Sequence, residues 1–154
     1  VIAYVVPGKP VGVNRGGATG TRLWGKTPEQ KAFATRLAAF GIQARRRERW
    51  ETTDAPVYVA IRVVFENEQP DTDSPTKPIL DSLEVSRPRL HRPGAALLAN
   101  DRQVRLYVVG RGVARDDPRV EVAVFLGSEI ALFLGEVERL LALDAHARMG
   151  GRAA

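Results

Sequence analysis

The chain predicts a small α/β (α+β) fold, a mixed sheet of about four strands covered by helices. Three observations predict it. Short runs rich in β-branched residues alternate with segments of helical spacing. The resulting order, β-α-β-α-β-β-α, suits a sheet with helices laid on it. The 154 residues suffice for one core and fall short of two. The predicted domain is residues 1–148, with a frayed tail over 149–154.

The elements follow in order. Val1–Val6 is apolar and β-branched and stops at Pro7-Gly8, a turn signal, so it reads as a strand. Lys9–Arg22 is rich in glycine and basic residues and reads as a mobile loop. Thr27 is a candidate N-cap, Pro28 suits the first helical position, and Gln30 completes a capping box. Phe33, Leu37, Phe40 and Ala44 then share one helical face. This helix ends in Arg45-Arg46-Arg47-Glu48-Arg49, and the run is open to two readings. Cations at a helix C-terminus are favoured by the dipole, and a basic run also suits phosphate. Trp50, just after it, reads as a core residue.

Val57–Phe65 reads as a strand with Val57, Val59, Ile61 and Val63 on one face. Pro75–Val85 reads as the second helix, capped by Asp73 or Ser74, with Ile79, Leu80 and Leu83 toward the core. Pro78 then lies near its start, where a missing N–H costs little. Ser86–Ala99 is a long loop. Val104–Val109 reads as a strand with Val104, Leu106 and Val108 on one face, and Gly110–Pro118 as a turn or loop. Val120–Leu126 is the last strand. Ser128–Ala147 reads as an amphipathic helix capped by Ser128.

Composition narrows the function classes. The absence of cysteine excludes disulfides and cysteine–zinc sites and suits a reducing cytoplasm. The two histidines, His91 and His146, are far apart, which leaves hard oxygen ligands for any metal. No apolar run has the length of a membrane span, and the first residues do not read as a signal peptide. The net charge of +5 rests almost wholly on arginine, whose planar fork matches phosphate, so nucleic acid is the favoured partner.

The segment that carries chemistry is Asp71-Thr-Asp73-Ser-Pro-Thr-Lys77-Pro-Ile-Leu-Asp81, with Asn100-Asp101-Arg-Gln103-Val104 beyond the long loop. Two aspartates two apart in extended chain point their carboxylates to one side. Such a pair raises its own pKa values or binds a cation. Lys77 and Asp81 follow Asp73 at i+4 steps and share a helical face. Asp101, at the start of the next strand, can return beside them. Oxygens with one lysine are what Mg²⁺ and a phosphate require. The alternative is plain: loop and cap aspartates and a solvated, salt-bridged face.

Taken together the two segments resemble the signature of the RusA-type Holliday-junction resolvases: Asp-x-Asp-Asn, Lys, Asp-Ala-Leu, then Asp-Asp-x-Gln-Val leading into a strand. This chain supplies Asp71-Thr-Asp73-Ser74, Lys77, Asp81-Ser-Leu83 and Asn100-Asp101-Arg-Gln103-Val104 in that order. Pro7-Gly8-Lys9-Pro10, Arg15 and Thr27-Pro28-Glu29 are similar to the family's opening, so the likeness spans about residues 1–126. It implies a cytoplasmic, Mg²⁺-dependent endodeoxyribonuclease, with Mn²⁺ able to substitute. Such an enzyme resolves four-way junctions as a homodimer in recombination and repair. It further implies that Asp71, Asp73, Lys77 and Asp101 are catalytic, with Asp71, Asp73, Asp101 and Asp81 as candidate metal ligands.

Three departures stand out. Ser74 replaces the family's asparagine, Asn100 replaces the first aspartate of the later pair, and Pro75 and Pro78 flank the lysine. They motivate a second hypothesis, a non-catalytic relative that binds branched DNA, and a third is a nuclease for other branched DNA. Phosphate contacts are expected from Lys9, Arg15, Arg87, Arg89, Arg92, Arg102 and Arg105. Trp24 has two readings, stacking on a base or lying under the first loop. His91 reads as an ordinary loop residue.

Overall fold

A computed structural model describes residues 1–12, 27–68, 73–86 and 93–150. Its elements are β1 (Ile2–Pro7), α1 (Pro28–Arg47), β2 (Val57–Phe65), α2 (Asp73–Leu83), β3 (Val104–Val113), β4 (Arg119–Leu126) and α3 (Ile130–Gly150). Single 3₁₀ turns, Asp101–Gln103 and Gly127–Glu129, lead into β3 and α3. The strands form one mixed sheet in the order β1-β4-β2-β3. β4 runs antiparallel to both neighbours, and β2 and β3 are parallel.

β2 explains the layering. Its sequence, VYVAIRVVF, is apolar almost throughout, as expected of a strand covered on both faces. Val57, Val59, Ile61, Val63 and Phe65 join Ile2, Val6, Val120, Val122 and Val124 in the larger core, beneath Phe33 and Leu37 of α1 and Ile79 and Leu83 of α2. Ala60 faces the other way, where Ala123 and Phe125 meet Phe133 and Leu140 of α3. Small residues on that face let α3 lie close to the sheet. A Cβ on Gly110 would stand 3.2 Å from a Leu140 methyl. Tyr58 stacks on Phe133 with centroids 5.1 Å apart.

The start of α1 is as its sequence predicts. The Thr27 hydroxyl accepts from the Gln30 amide at 3.2 Å, and the Gln30 side chain accepts from Thr27 N at 3.0 Å. Phe33, Leu37 and Ala44 are buried and Phe40 is partly so. Trp50 is half-buried rather than fully in the core, because its indole N–H reaches out to the Leu97 carbonyl at 3.2 Å.

Several expectations need correction. α2 begins at Asp73, so Asp73 and Ser74 are in the helix rather than caps before it. Pro78 therefore lies past the first turn and removes the bond it would have given to the Ser74 carbonyl. β3 continues to Val113, because Gly110–Val113 pair with Arg62–Phe65; only the residues after it turn. Val104 does not share a face with Leu106 and Val108. The register slips at the start of the strand, where Val57 faces Val104 but Tyr58 faces Leu106. A one-residue irregularity of this kind swaps the faces beyond it. Val104 and Val109 accordingly pack on the larger core and Val108 on the smaller one.

The last helix differs most. Ser128 lies inside the 3₁₀ turn and does not cap α3. Nor is α3 amphipathic: it buries Phe133 and Leu140 yet leaves Ile130, Leu132, Leu134 and Leu141 at 48, 57, 53 and 63% exposure. No helix among the described residues is long and apolar enough to cross a membrane.

Gly41 sits where α1 passes closest to the Ala95 segment. A Cβ there would fall 2.5 Å from Ala95 Cβ, which has no rotamer to yield. Gly41→Ala should therefore destabilise the fold by about 1–3 kcal/mol, although alanine is ordinarily the better helix former. Urea denaturation followed by circular dichroism checks this, and a gain in stability would contradict the close approach.

Candidate active site

Lys77 and Asp81 lie one turn apart on α2, and Lys77 Nζ stands 3.4 Å from Asp81 Oδ1. The lysine side chain is 74% exposed and the aspartate 19%. An exposed pair of this kind adds little stability. Its polarity is also the weaker one, since helices favour the acid N-terminal to the base. Helix stability therefore gives little reason for the pair. What it does is hold an ammonium on the surface beside a carboxylate that is mostly covered.

The segment that carries Asp101 is tied to the C-terminal end of the same helix. Leu83, the last residue of α2, accepts from Leu97 N at 2.8 Å and Leu98 N at 3.0 Å, and Val85 N donates to the Leu98 carbonyl at 3.1 Å. The chain then turns through Asp101–Gln103, which contacts α2. Asn100 caps this turn, its side chain accepting from Arg102 N at 2.8 Å, while Gln103 Oε1 accepts from Asn100 N at 2.8 Å. Gln103 is buried and its amide donates to the Thr53 and Ala55 carbonyls at 2.7 and 3.0 Å. Asp101 itself is exposed, and its carboxylate makes no ion pair among the described residues.

The role of Gln103 is absent from the sequence reading, although Asn-x-x-Gln has the capping-box spacing that could have disclosed it. The same reading explains Asn100. It stands where the resemblance expects an acid because the turn uses it as a cap, in a role open to either residue.

Asp73 opens α2, one turn before Lys77 and two before Asp81, or about 6 and 12 Å along the axis. Asp71 and the side chain of Asp73 lie outside the described residues, as do Arg15, Trp24, Arg87, Arg89, His91 and Arg92. Of the proposed site, the structure brings Lys77 to Asp81 and sets the Asp101 turn against their helix. No group of three potential ligands converges among the described residues. The donor set is all oxygen, which suits a hard cation such as Mg²⁺, and it needs Asp71 and Asp73 to be complete.

Of the expected phosphate contacts, Arg102 and Arg105 are exposed beside Asp101. Lys9 is engaged with Glu66 at 3.5 Å, which ties the first loop to the segment leading toward Asp71. On the opposite face of the sheet lies a charged network that the sequence reading passes over. Glu121 accepts from Arg62 at 3.2 Å and Arg119 at 2.9 Å, and Arg139 of α3 stands 3.5 Å away. Arg62 and Glu121 are register partners, so the signal is a charge inside each of two otherwise apolar strand runs, with Arg119 at the start of β4.

Gln103→Ala would take the amide donor from the Ala55 carbonyl and leave the Thr53 carbonyl with Ala99 N alone. It should lower stability by about 1–3 kcal/mol and speed amide hydrogen exchange at Asn100–Val104, measured by mass spectrometry. Unchanged exchange there would show that the turn does not depend on this side chain.

Compared with known proteins, the chain matches no protein-family model, and no curated protein matches it. Its likeness to the RusA-type signature rests on the quoted residues alone.

Proposed function

We propose that this chain is a Mg²⁺-dependent endodeoxyribonuclease that hydrolyses four-way DNA junctions as a homodimer in recombination and repair. The observation that carries the reading is the Lys77–Asp81 pair on α2, the helix that the capped turn displaying Asp101 contacts. Asp71, Asp73 and Asp101 are the proposed ligands of Mg²⁺, or of Mn²⁺ in its place, with Asp81 as a further ligand or as the group that orients Lys77. The ion, when bound, makes coordinated water acidic and draws charge from the scissile phosphate. Lys77 places an ammonium where charge builds on that phosphate. Asn100 and Gln103 act through Asp101, by holding its turn. Arg102, Arg105 and Lys9, with Arg15, Arg87, Arg89 and Arg92, grip the DNA backbone.

Two symmetric nicks need two sites related by a two-fold axis. Ile130, Leu134 and Leu141 support a self-complementary surface. Glu136 and Arg139 turn toward β4 through Glu121, so the apolar flank lies on the β3 side, where Leu106 is half-exposed. Exposed apolar side chains gathered on one flank suit a protein–protein contact.

The test is a synthetic four-way junction labelled on each arm. With Mg²⁺ the wild type should release paired nicks, and EDTA should stop them. Lys77→Ala should slow cutting about a hundred- to a thousandfold. Asp73→Asn and Asp101→Asn should abolish it while gel-shift binding persists. Equal cutting by Asp101→Asn would remove that residue from the site. Binding without cutting across Mg²⁺ and Mn²⁺ concentrations would make the chain a branched-DNA-binding relative instead.

The dimer has its own check. Leu134→Glu with Leu141→Glu should sediment as a single chain with an unchanged melting temperature, and its two nicks should become uncoupled. A double variant that still sediments as a dimer would place the interface elsewhere.

A further inference from the structure

The basic end of α1 does more than complete a helix. The chain leaves α1 through paired backbone bonds, Trp50 N to the Arg45 carbonyl at 2.9 Å and Arg49 N to the Arg46 carbonyl at 3.3 Å. This is the Schellman ending, whose left-handed residue is ordinarily glycine. Here it is Arg49, at φ 52°. The described residues contain one other non-glycine at positive φ, Ala96 at 55°. Both lie in the wall of one cleft.

That cleft has a volume of about 500 Å³ and is lined by Arg45, Arg46, Arg49, Trp50, Ser86 and Gly94, among others. No acidic side chain among the described residues lines it. Arg45 spends its Nε on the Trp50 carbonyl at 3.3 Å, and none of Arg45, Arg46 and Arg49 makes an ion pair among the described residues. Arg47, in the same run, does not line the cleft, and it is the one that makes an ion pair among the described residues. Its guanidinium donates to Glu48 at 2.7 Å and to the Ala3 carbonyl at 3.0 Å.

The helix dipole accounts for cations in the last turn but not for an arginine in the position that favours glycine. Nor does it account for the split between one ion-paired arginine and three that line the cleft with no ion pair among the described residues. Backbone strain held by a fold tends to gather at ligand sites. Three guanidinium forks on an acid-free wall match oxyanions that can be gripped two oxygens at a time.

We propose that this cleft binds the phosphodiester backbone of a DNA strand, as an anchor outside the candidate active site. The assignment rests on the nuclease reading for the identity of the polyanion. The geometry links the two places. The cleft wall at Gly94–Ala96 continues through Leu97, which holds the Trp50 indole, to Asp101. A strand gripped at the arginines is thereby registered against the segment that carries the catalytic carboxylate.

The experiment is a salt titration of four-way-junction binding by the full chain, with Ca²⁺ replacing Mg²⁺ so that nothing is cut. Each lost phosphate contact should make the slope of log K against log salt shallower by about 0.9. Arg46→Ala with Arg49→Ala should flatten the slope by about 2, and Arg47→Ala should leave it unchanged. Arg49→Gly supplies a readout that a merely structural arginine would not give. It should raise the melting temperature by about 3 °C, by relieving the left-handed residue, while flattening the slope by about one unit. An unchanged slope in the double variant of a wild type that binds DNA overturns the anchor and leaves the nuclease reading standing. A wild type that binds no junction at any salt overturns both. If inorganic phosphate raises the wild-type melting temperature but not that of the double variant, and the DNA slopes agree, the cleft takes small anions and the proposal fails.

Discussion

Burial of β2 on both faces is the constraint on which the rest of the molecule depends. Its two edges bond to β4 and β3, and its two faces are covered by α1 with α2 and by α3. A strand so enclosed has to be apolar on each side, and it is, apart from Arg62. That arginine is tolerated because Glu121 stands opposite it on β4. From this frame the functional elements hang by short leads: α2 leaves the far end of β2, and the turn that holds Asp101 is stitched by Gln103 to the residues just before β2.

The stitch shows how a modest polar side chain sets a site. The Ala55 carbonyl lies in irregular chain, and the Thr53 carbonyl, in a single bridge to Leu98, accepts from Ala99 N at 3.0 Å. One buried amide satisfies both and at the same time completes the cap of the turn. Asp101 is left facing outward with its backbone held from both sides. The Lys77–Asp81 pair is held differently, by the regular rise of a helix. The proposed site would thus draw on one group placed by a cap and another placed by a helix.

What was legible in the sequence follows physical lines. The start of α1 could be read because Thr27, Pro28 and Gln30 act on neighbours three residues away, and β2 and β4 because their apolar character is continuous. Strand order could not, since nothing local says that the last strand enters the middle of the sheet. The slip at Val57 escaped detection because an alternating pattern is blind to a one-residue irregularity. α3 was misread because its leucines were assigned one buried face, whereas the available sheet face accepts only Phe133, Leu140 and part of Val137. In the site, the Lys77–Asp81 spacing was visible as i, i+4. The function of Gln103 was hidden because its partners lie some fifty positions away. Lys9, expected among the phosphate contacts, stands 3.5 Å from Glu66, a pairing between loops that no spacing rule describes.

The sheet order also has a consequence for how the chain is made. β4 lies between β1 and β2, so the first strand of this sheet finds its only described neighbour in the last, with Ile2 opposite Val124. Until residue 126 is clear of the ribosome, β1 has no partner and β2 lacks one of its two. Assembly of the sheet must therefore wait until β4 has been synthesised, and β1 and β2 carry unpaired edges throughout that interval. Such a protein depends on whatever shields it during synthesis more heavily than one whose neighbouring strands are neighbours in the chain.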